Sequence, residues 1–251
     1  MKVSIITAVL NGERTLRDCM QSVAGQGYPD IEHVLVDGAS TDGTVDVIRN
    51  YGGRVSRWIS ERDGGIYDAM NKGIRLSSGE IVGILNADDL YASEDVIDRV
   101  VARMSVSGAD TCYGDLVYIS RGDPRKAVRH WRSGAYDRKR FRRGWMPPHP
   151  TFFVRRPVYE KYGLFNLAFP LAADYELMLR LLYRYGVSTV YIPSLMVKMR
   201  TGGSCRPGIG NTLHNIAENY RAWTANGLKP NPLTFLLKPL RKTVQFLPSA
   251  P

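Results

Sequence analysis

Cysteine is scarce in this chain: three residues among 251, Cys19, Cys112 and Cys205, odd in number, widely spaced and without a CxxC pair. That excludes a disulfide framework and a cysteine-ligated zinc or redox motif, and it predicts reduced thiols. Four scattered histidines, at 33, 130, 149 and 214, exclude a histidine-rich metal centre. No run approaches the roughly 20 apolar residues of a membrane span. Residues 1–7 pass straight into a strand pattern, without the apolar region and small-residue cleavage site of a signal peptide, so a cytoplasmic location is expected. Glycine is plentiful at 24 residues, yet there is no GxxxxGK followed by Ser or Thr, and no GxGxxG after the first strand. A P-loop nucleotidase and a dinucleotide-binding Rossmann protein are therefore unsupported.

Acids are outnumbered, 24 Asp and Glu against 34 Lys and Arg, for a net charge of +10. Residues 121–143 hold ten Lys/Arg against two Asp, so one segment carries +8 of that total. Such a segment is either a solvated, mobile loop or a docking surface for phosphates on nucleic acid, lipid or substrate. Trp131, Tyr136, Phe141 and Trp145 could stack on bases, which makes a nucleic-acid-binding module the competing reading. No RNA-binding signature accompanies them, and nucleic acid is not the expected partner. A sugar nucleotidyltransferase, the other alternative, would want a basic glycine-rich loop after the first strand, which AVLNGERTL does not supply.

Apolar runs with strand character recur at 3–9, 31–36, 55–59, 81–85 and 111–117, separated by helix-period patterns such as Leu16, Cys19, Met20, Val23 and Ile66, Ala69, Met70, Ile74. Strand and helix alternating in this way predict an α/β protein, Rossmann-like, with a mostly parallel central sheet and helices on both faces. Ligands of such sheets bind beyond the carboxyl ends of the strands. The polar turns at 8–12, 37–43, 61–65 and 86–89 should then converge on one edge. In the second half, 151–154 and 187–192 read as strands and 174–185 as a helix with Leu177, Met178, Leu181, Leu182 and Tyr185 on one side. A further helix from Asn211 precedes a tail, LTFLLKPLRKTVQFL, that is apolar and basic together: a structural arm or a membrane-surface contact. The expected division is a main domain at 1–205 and a C-terminal helix and arm at 206–251.

Two adjacent acids, Asp88 and Asp89, stand directly behind the buried run 81–85. Their mutual repulsion and desolvation call for compensation. With Asn86 they form a hard oxygen set suited to Mg²⁺ or Mn²⁺ bridging to a substrate diphosphate. The alternative is that one of them merely caps the next helix.

SIITAVLNGERTLRDCMQSVAGQ, VDGASTDGT, GIYDAMNKGI with SGEIVGILNADD, and AADYELMLR resemble, in order and spacing, the successive motifs of family 2 inverting nucleotide-sugar glycosyltransferases with the GT-A fold. The likeness runs from Val3 to about Gly203. SERDGGIYDAMNKG is similar to a branch of bacterial exopolysaccharide and lipopolysaccharide synthesis. The resemblance implies a nucleotide-sugar donor, normally a UDP-sugar; a lipid-linked or polysaccharide acceptor is the expectation that accompanies it. It implies that Asp37 reads the base, with Thr7 and Val9 beside it on the strand end. It puts Asn86-Ala87-Asp88 at the metal-binding DxD motif, with Asp88 the Mn²⁺ or Mg²⁺ ligand and Asp89 a further candidate; Asn86 departs from the pattern, able to bond a ribose hydroxyl but bringing no charge. Asp174 falls at the catalytic base, where Ala173 replaces the usual glutamate and leaves Glu176 as the alternative.

Residue chemistry supports Asp174 independently: inverting transfer needs one base for the acceptor proton, and a carboxylate at a helix start behind an apolar stretch can be held rigidly. It could equally be an N-cap. Lys72 could reach a phosphate or stand solvated on its helix. His149 could line the acceptor side or be a loop histidine, and Arg200 could close over the diphosphate in a lid. The basic segment and the tail suit a lipid-diphosphate acceptor and peripheral contact with an anionic membrane.

Overall fold

The computed structural model describes residues 1–51, 55–202, 209–231 and 234. The first strand, β1 (Val3–Val9), is buried throughout: Val3, Ile5 and Val9 turn to one face, Ile6 and Ala8 to the other. Around it β2 (Ile31–Asp37), β3 (Arg57–Ser60) and β4 (Ile81–Ile84) pair in parallel, in the order β3-β2-β1-β4. The crossovers between them carry helices α1 (Leu16–Ala24), α2 (Thr44–Asn50) and α3 (Ile66–Leu76), as parallel neighbours require.

Beyond β4 the sheet becomes mixed. β8 (Phe153–Arg155) runs antiparallel to β4, β6 (Thr111–Ile119) runs antiparallel to β8, and β9 (Thr189–Arg200) lies parallel to β6. β5 (Leu90–Tyr91) and β7 (Ala127–Trp131) add antiparallel to β9 and β6. Two reversals restore the starting direction, so β1, β2, β3, β4, β6 and β9 point one way and β5, β7 and β8 the other. The expected parallel sheet thus holds in direction for six strands, with short antiparallel insertions. As a result Val9, Asp37, Ser60, Ile84, Ile119 and Arg200 all end on one edge.

Helices cover both faces. Ala69, Met70 and Ile74 of α3 pack with Ile6, Val34, Val36 and Ile84 on one side, while Val23 of α1 and Val96, Val100 and Met104 of α4 (Val96–Ser107) pack with Val3, Ile5 and Leu85 on the other. At Gly73 the α3 backbone lies against β1 so closely that a Cβ would overlap Ile6 Cγ2. The predicted helix at 174–185 starts as α7 (Ala173–Met178) and widens into a π-helical turn, Leu179–Arg184, buried among apolar side chains. α8 (Ile209–Ala225) docks into the same core: the Trp223 indole donates to Tyr175 Oη at 2.8 Å. The division expected at 205 falls at 203–208, and most of the tail at 235–251; both lie outside the described residues, as does Cys205. Cys19 and Cys112 are buried free thiols.

The basic segment is not one loop. It folds as β7, hydrogen-bonded to β6, and a one-turn helix α5 (Arg138–Phe141) capped by Asp137. Between β8 and α7 lies α6 (Arg156–Tyr162). Among the described residues no helix is long and apolar enough to cross a membrane.

Candidate active site

The four polar turns meet on the carboxyl edge as the strand directions require. Asn11 N donates to Ser40 Oγ at 2.8 Å and Thr41 N to Asn11 Oδ1 at 2.9 Å, tying the turn after β1 to the turn after β2. Gly12 N donates to Thr44 Oγ1 at 2.8 Å. Two non-glycine residues in these turns hold positive φ, Asn11 at 54° and Ala39 at 61°, a left-handed backbone that these interlocking bonds enforce.

Asp37 ends β2 where the motif implies, but its carboxylate is enclosed. Ser40 N at 3.1 Å, Ser60 Oγ at 2.6 Å and the Ser40 hydroxyl all donate to it. It frames the turn and offers no exposed oxygen to a base. Thr7 is likewise internal: its hydroxyl meets His33 Nε2 at 3.1 Å under α1, and burial pushes His33 down to about 4, leaving that imidazole neutral. Val9 packs with Leu16, Met20, Leu35 and Ile48, and its carbonyl accepts from Gly38 N at 2.9 Å. Of the nucleotide-side candidates, Thr7 and Val9 are therefore parts of the core beneath the edge. Lys72 is also engaged, with Glu61 at 2.7 Å, Asp68 at 3.7 Å and the Arg62 carbonyl at 2.9 Å; it holds the turn after β3.

LNADD leaves β4 as a tight turn, Asp89 N donating to the Asn86 carbonyl at 3.0 Å. Neither acid caps a helix, because the chain enters β5 next and α4 begins only at Val96, behind Asp95. Asp89 is 0% exposed. Its Oδ2 accepts from Asn86 Nδ2 at 2.9 Å, while Oδ1 is buried with no hydrogen-bond partner among the described residues. Burial and the neighbouring Asp88 charge push its carboxyl up to about 8, against the pull of Asn86 and Arg200. Burial also raises Asp88, with Arg121 and Arg200 pulling the other way.

Arg200 is the last residue of β9, not part of a lid. It is buried, donating to the Asp88 carbonyl at 3.3 Å and pairing with Asp18 of α1 at 2.6 Å. Glu176 is 2% exposed, held by both nitrogens of an Arg180 fork at 3.0 and 3.1 Å and by Asn226 Nδ2 at 3.0 Å. Both its oxygens are engaged with core donors and the side chain is buried, which argues against it as an alternative base.

Asp174 sits in the first turn of α7, one position inside Ala173, so it is not the N-cap, which is Ala172. It is half-buried, and its Oδ1 accepts from Tyr175 N at 2.8 Å and from Tyr67 Oη at 3.1 Å. His149 lies nearby, edge-on to Phe165 at 5.5 Å, its imidazole lowered by burial against the charge of Asp174. Tyr118 of β6 stands where the charges of both acidic places reach it. Burial raises its phenol, Arg129 opposes that, and the charges of both Asp89 and Asp174 add to it. The Arg129 guanidinium, directly opposite on β7, lies 3.7 Å from the Tyr118 ring centroid.

The Glycosyl transferase family 2 model matches residues 4–163. The chain belongs to glycosyltransferase family 2. The PGL/p-HBAD biosynthesis glycosyltransferase of Mycobacterium bovis (strain BCG / Pasteur 1173P2) is 33% identical over 216 residues, covering 84% of this chain and 79% of that one. An uncharacterised glycosyltransferase of Rickettsia typhi is 27% identical over 244 residues, with coverage of 90% and 71%. Among solved structures, S. aureus TarS 1-349 in complex with UDP-GlcNAc superposes with TM-score 0.68 at 17% identity, over 90% of this chain and 65% of that one. The mannosyltransferase PcManGT of Pyrobaculum calidifontis, in complex with GDP-Man and Mn²⁺, gives TM-score 0.66 at 18% identity, over 97% and 69%. This glycosyltransferase has the GT-A fold, with its mixed sheet and helical cover.

Sequence reasoning did not single out Tyr67 or Tyr118, and it took Arg129 only as part of the basic segment. Tyr67 stands inside the motif GIYDAMNKG, but its contact with Asp174 spans 107 residues and no spacing rule reports it.

Proposed function

We propose that this glycosyltransferase transfers a sugar, with inversion, from a UDP-sugar to a hydroxyl of a lipid-linked or polysaccharide acceptor in cell-surface glycan synthesis. The observation that carries the reading is the acid pair at the end of β4, buried and under-compensated, on the same edge as a second, separately held carboxylate, Asp174. The first place suits a diphosphate with its cation and the second suits a base.

The residues fit a divalent ion. The unpartnered Asp89 oxygen and the raised carboxyls of Asp88 and Asp89 are what a cation would compensate. No group of three or more His, Cys, Asp and Glu gathers among the described residues, so substrate oxygens and water would complete the shell. Asp88 is the ligand in this reading, with Asp89 behind it. Mn²⁺ or Mg²⁺ held there supplies charge neutralisation for the departing diphosphate. Asn86, beside them, faces the ribose. The turns after β1, β2 and β3 cradle the base, with Asp37 fixing the Ser40 turn rather than touching the ring.

On the acceptor side, Asp174 takes the proton of the attacking hydroxyl as its oxygen closes on the anomeric carbon from the face opposite the diphosphate. Phe165 and His149 wall that side, and Arg200 keeps the Asp88 turn against α1. The basic face of β7 and α5 is assigned to an anionic membrane surface presenting the acceptor.

Titration calorimetry with a nucleotide panel, with and without Mn²⁺, tests the donor site. UDP binding that needs the metal and disappears in Asp88→Ala is expected; indifference to metal would sink the role of Asp88, and preference for GDP would change the donor. For the base, Asp174→Asn should keep UDP binding and lose roughly 10²- to 10⁴-fold in turnover, read as UDP release from a panel of UDP-sugars with acceptor.

A further inference from the structure

A general base is effective only when one defined oxygen is presented at the right angle to the acceptor hydroxyl, and small misplacements are costly. Among the described residues both donors to Asp174 meet Oδ1, the Tyr175 amide at 2.8 Å and the Tyr67 hydroxyl at 3.1 Å, which leaves Oδ2 open. The amide comes from the adjacent residue and fixes only the local rotamer. Tyr67 comes from α3, on the donor half of the sheet, and ties the carboxylate to a different part of the molecule.

Tyr67 is itself held. Its ring stacks on Phe165, centroids 5.4 Å apart at 27°. Phe165 is clamped through its backbone by Asn71, whose Nδ2 donates to the Phe165 carbonyl at 2.9 Å and whose Oδ1 accepts from Phe165 N at 2.9 Å. Tyr67 and Asn71 are four apart on one helix and so share a face. The opposite side of α3 lies on β1 through Gly73. The hydroxyl that reaches Asp174 is thus referenced to the strand next to β4, from which the acid pair emerges.

On the reading of Asp174 as base, we propose that Tyr67 is its positioning residue: the phenol holds Oδ1 so that Oδ2 faces the acceptor hydroxyl, and α3 thereby sets the base relative to the donor diphosphate. The donor half and the acceptor half of the site are registered through this contact.

Tyr67→Phe removes the hydroxyl and keeps the stack on Phe165. It is expected to lower kcat about tenfold or more, with KM for donor and acceptor, UDP affinity and Tm unchanged. A residue needed only for packing would instead move Tm, or move nothing. Placed in the Asp174→Asn background, the same change should bring no further loss, because the group it orients is already disabled. Loss of turnover in Asp174→Asn together with unchanged kcat in Tyr67→Phe would overturn the proposal and leave the base in place. Full turnover in Asp174→Asn would overturn the base and the proposal together.

Discussion

Glu32 and Asp89 are both carboxylates buried on this sheet, and they answer burial in opposite ways. Burial would raise Glu32, but Ser4 Oγ at 2.5 Å, Ser78 N at 2.7 Å and Ser78 Oγ at 3.0 Å all donate to it, and Lys2 stands at 3.4 Å, bringing it down to about 2. Asp89 has Asn86 as its side-chain donor and an acid neighbour, and goes up to about 8. Glu32 lies at the amino edge of the sheet, where its work is structural. Its folded value is below the unfolded one, so the stabilisation is complete above about 4.5 and is lost as pH falls towards 2. Glu32→Gln should cost about 2–3 kcal/mol in urea unfolding at pH 7. The gap between variant and parent should narrow steadily below about pH 4.5; a gap independent of pH would show that charge is not what the site uses. The sequence displays both residues equally, as acids in or after strands. What it does not display is the donor count around each, because Ser78 is 46 positions from Glu32 and folding alone brings them together.

At the scale of elements, the long periodic segments are legible and the short ones are not. β1, β2, β4 and α4 lie where apolar spacing puts them, since each buries a face the pattern encodes. β5 has two residues and β7, AVRHW, has its apolar residues separated by Arg129 and His130, so neither rises above its flanks as sequence. The π-helical turn after α7 is invisible to a 3.6-residue template, although its buried leucines are not. α3 carries the most tertiary geometry, because three of its faces are used: Ala69, Met70 and Gly73 against the sheet, Asp68 and Lys72 towards the turn after β3, Tyr67 towards α7 and Asn71 towards Phe165 ahead of it. Gly73→Ala has a better helix former at that position, worth up to about 1 kcal/mol in isolation. The overlap with Ile6 should reverse the sign, for a net loss of roughly 1–3 kcal/mol in thermal or urea unfolding. Because Tyr67 rides on the displaced helix, turnover should fall as well. A stabilised Gly73→Ala would mean that α3 is not pressed onto β1 as described.

For the molecule as a whole, strand direction gathers the turns after β1 to β4 with the ends of β6 and β9, which is why the topological rule alone picks out the candidate site while leaving its chemistry open. The sequence reading pointed to the acid pair and Asp174 through motif order, as candidates; it could not see that Thr7, Asp37 and Glu176 are enclosed, because enclosure is a property of neighbours on other elements. Charge is the other whole-molecule feature. Arg125, Lys126, Arg132, Arg138, Lys139, Arg142 and Arg143 are each exposed within one stretch of β7, α5 and their turns, Arg138 and Arg142 also touching Tyr183, and Asp123 and Asp137 serve mainly to hold turns and the start of α5. The backbone after α8 returns to this face, Thr234 Oγ1 donating to the Arg142 carbonyl at 2.6 Å. A concentrated positive face of this kind gains roughly 1 kcal/mol per basic residue at an anionic bilayer, within a Debye length of about 10 Å at 0.1 M salt. The protein should therefore sediment with vesicles containing phosphatidylglycerol and not with phosphatidylcholine alone, and salt should release it. Replacing Arg125, Lys126 and Arg132 with Gln, all remote from Asp88 and Asp174 in role, should weaken vesicle binding by about tenfold or more while leaving UDP affinity unchanged. Binding that survives high salt or the triple change would place any membrane contact elsewhere, and failure to bind anionic vesicles at low salt would remove the membrane from the account of this face.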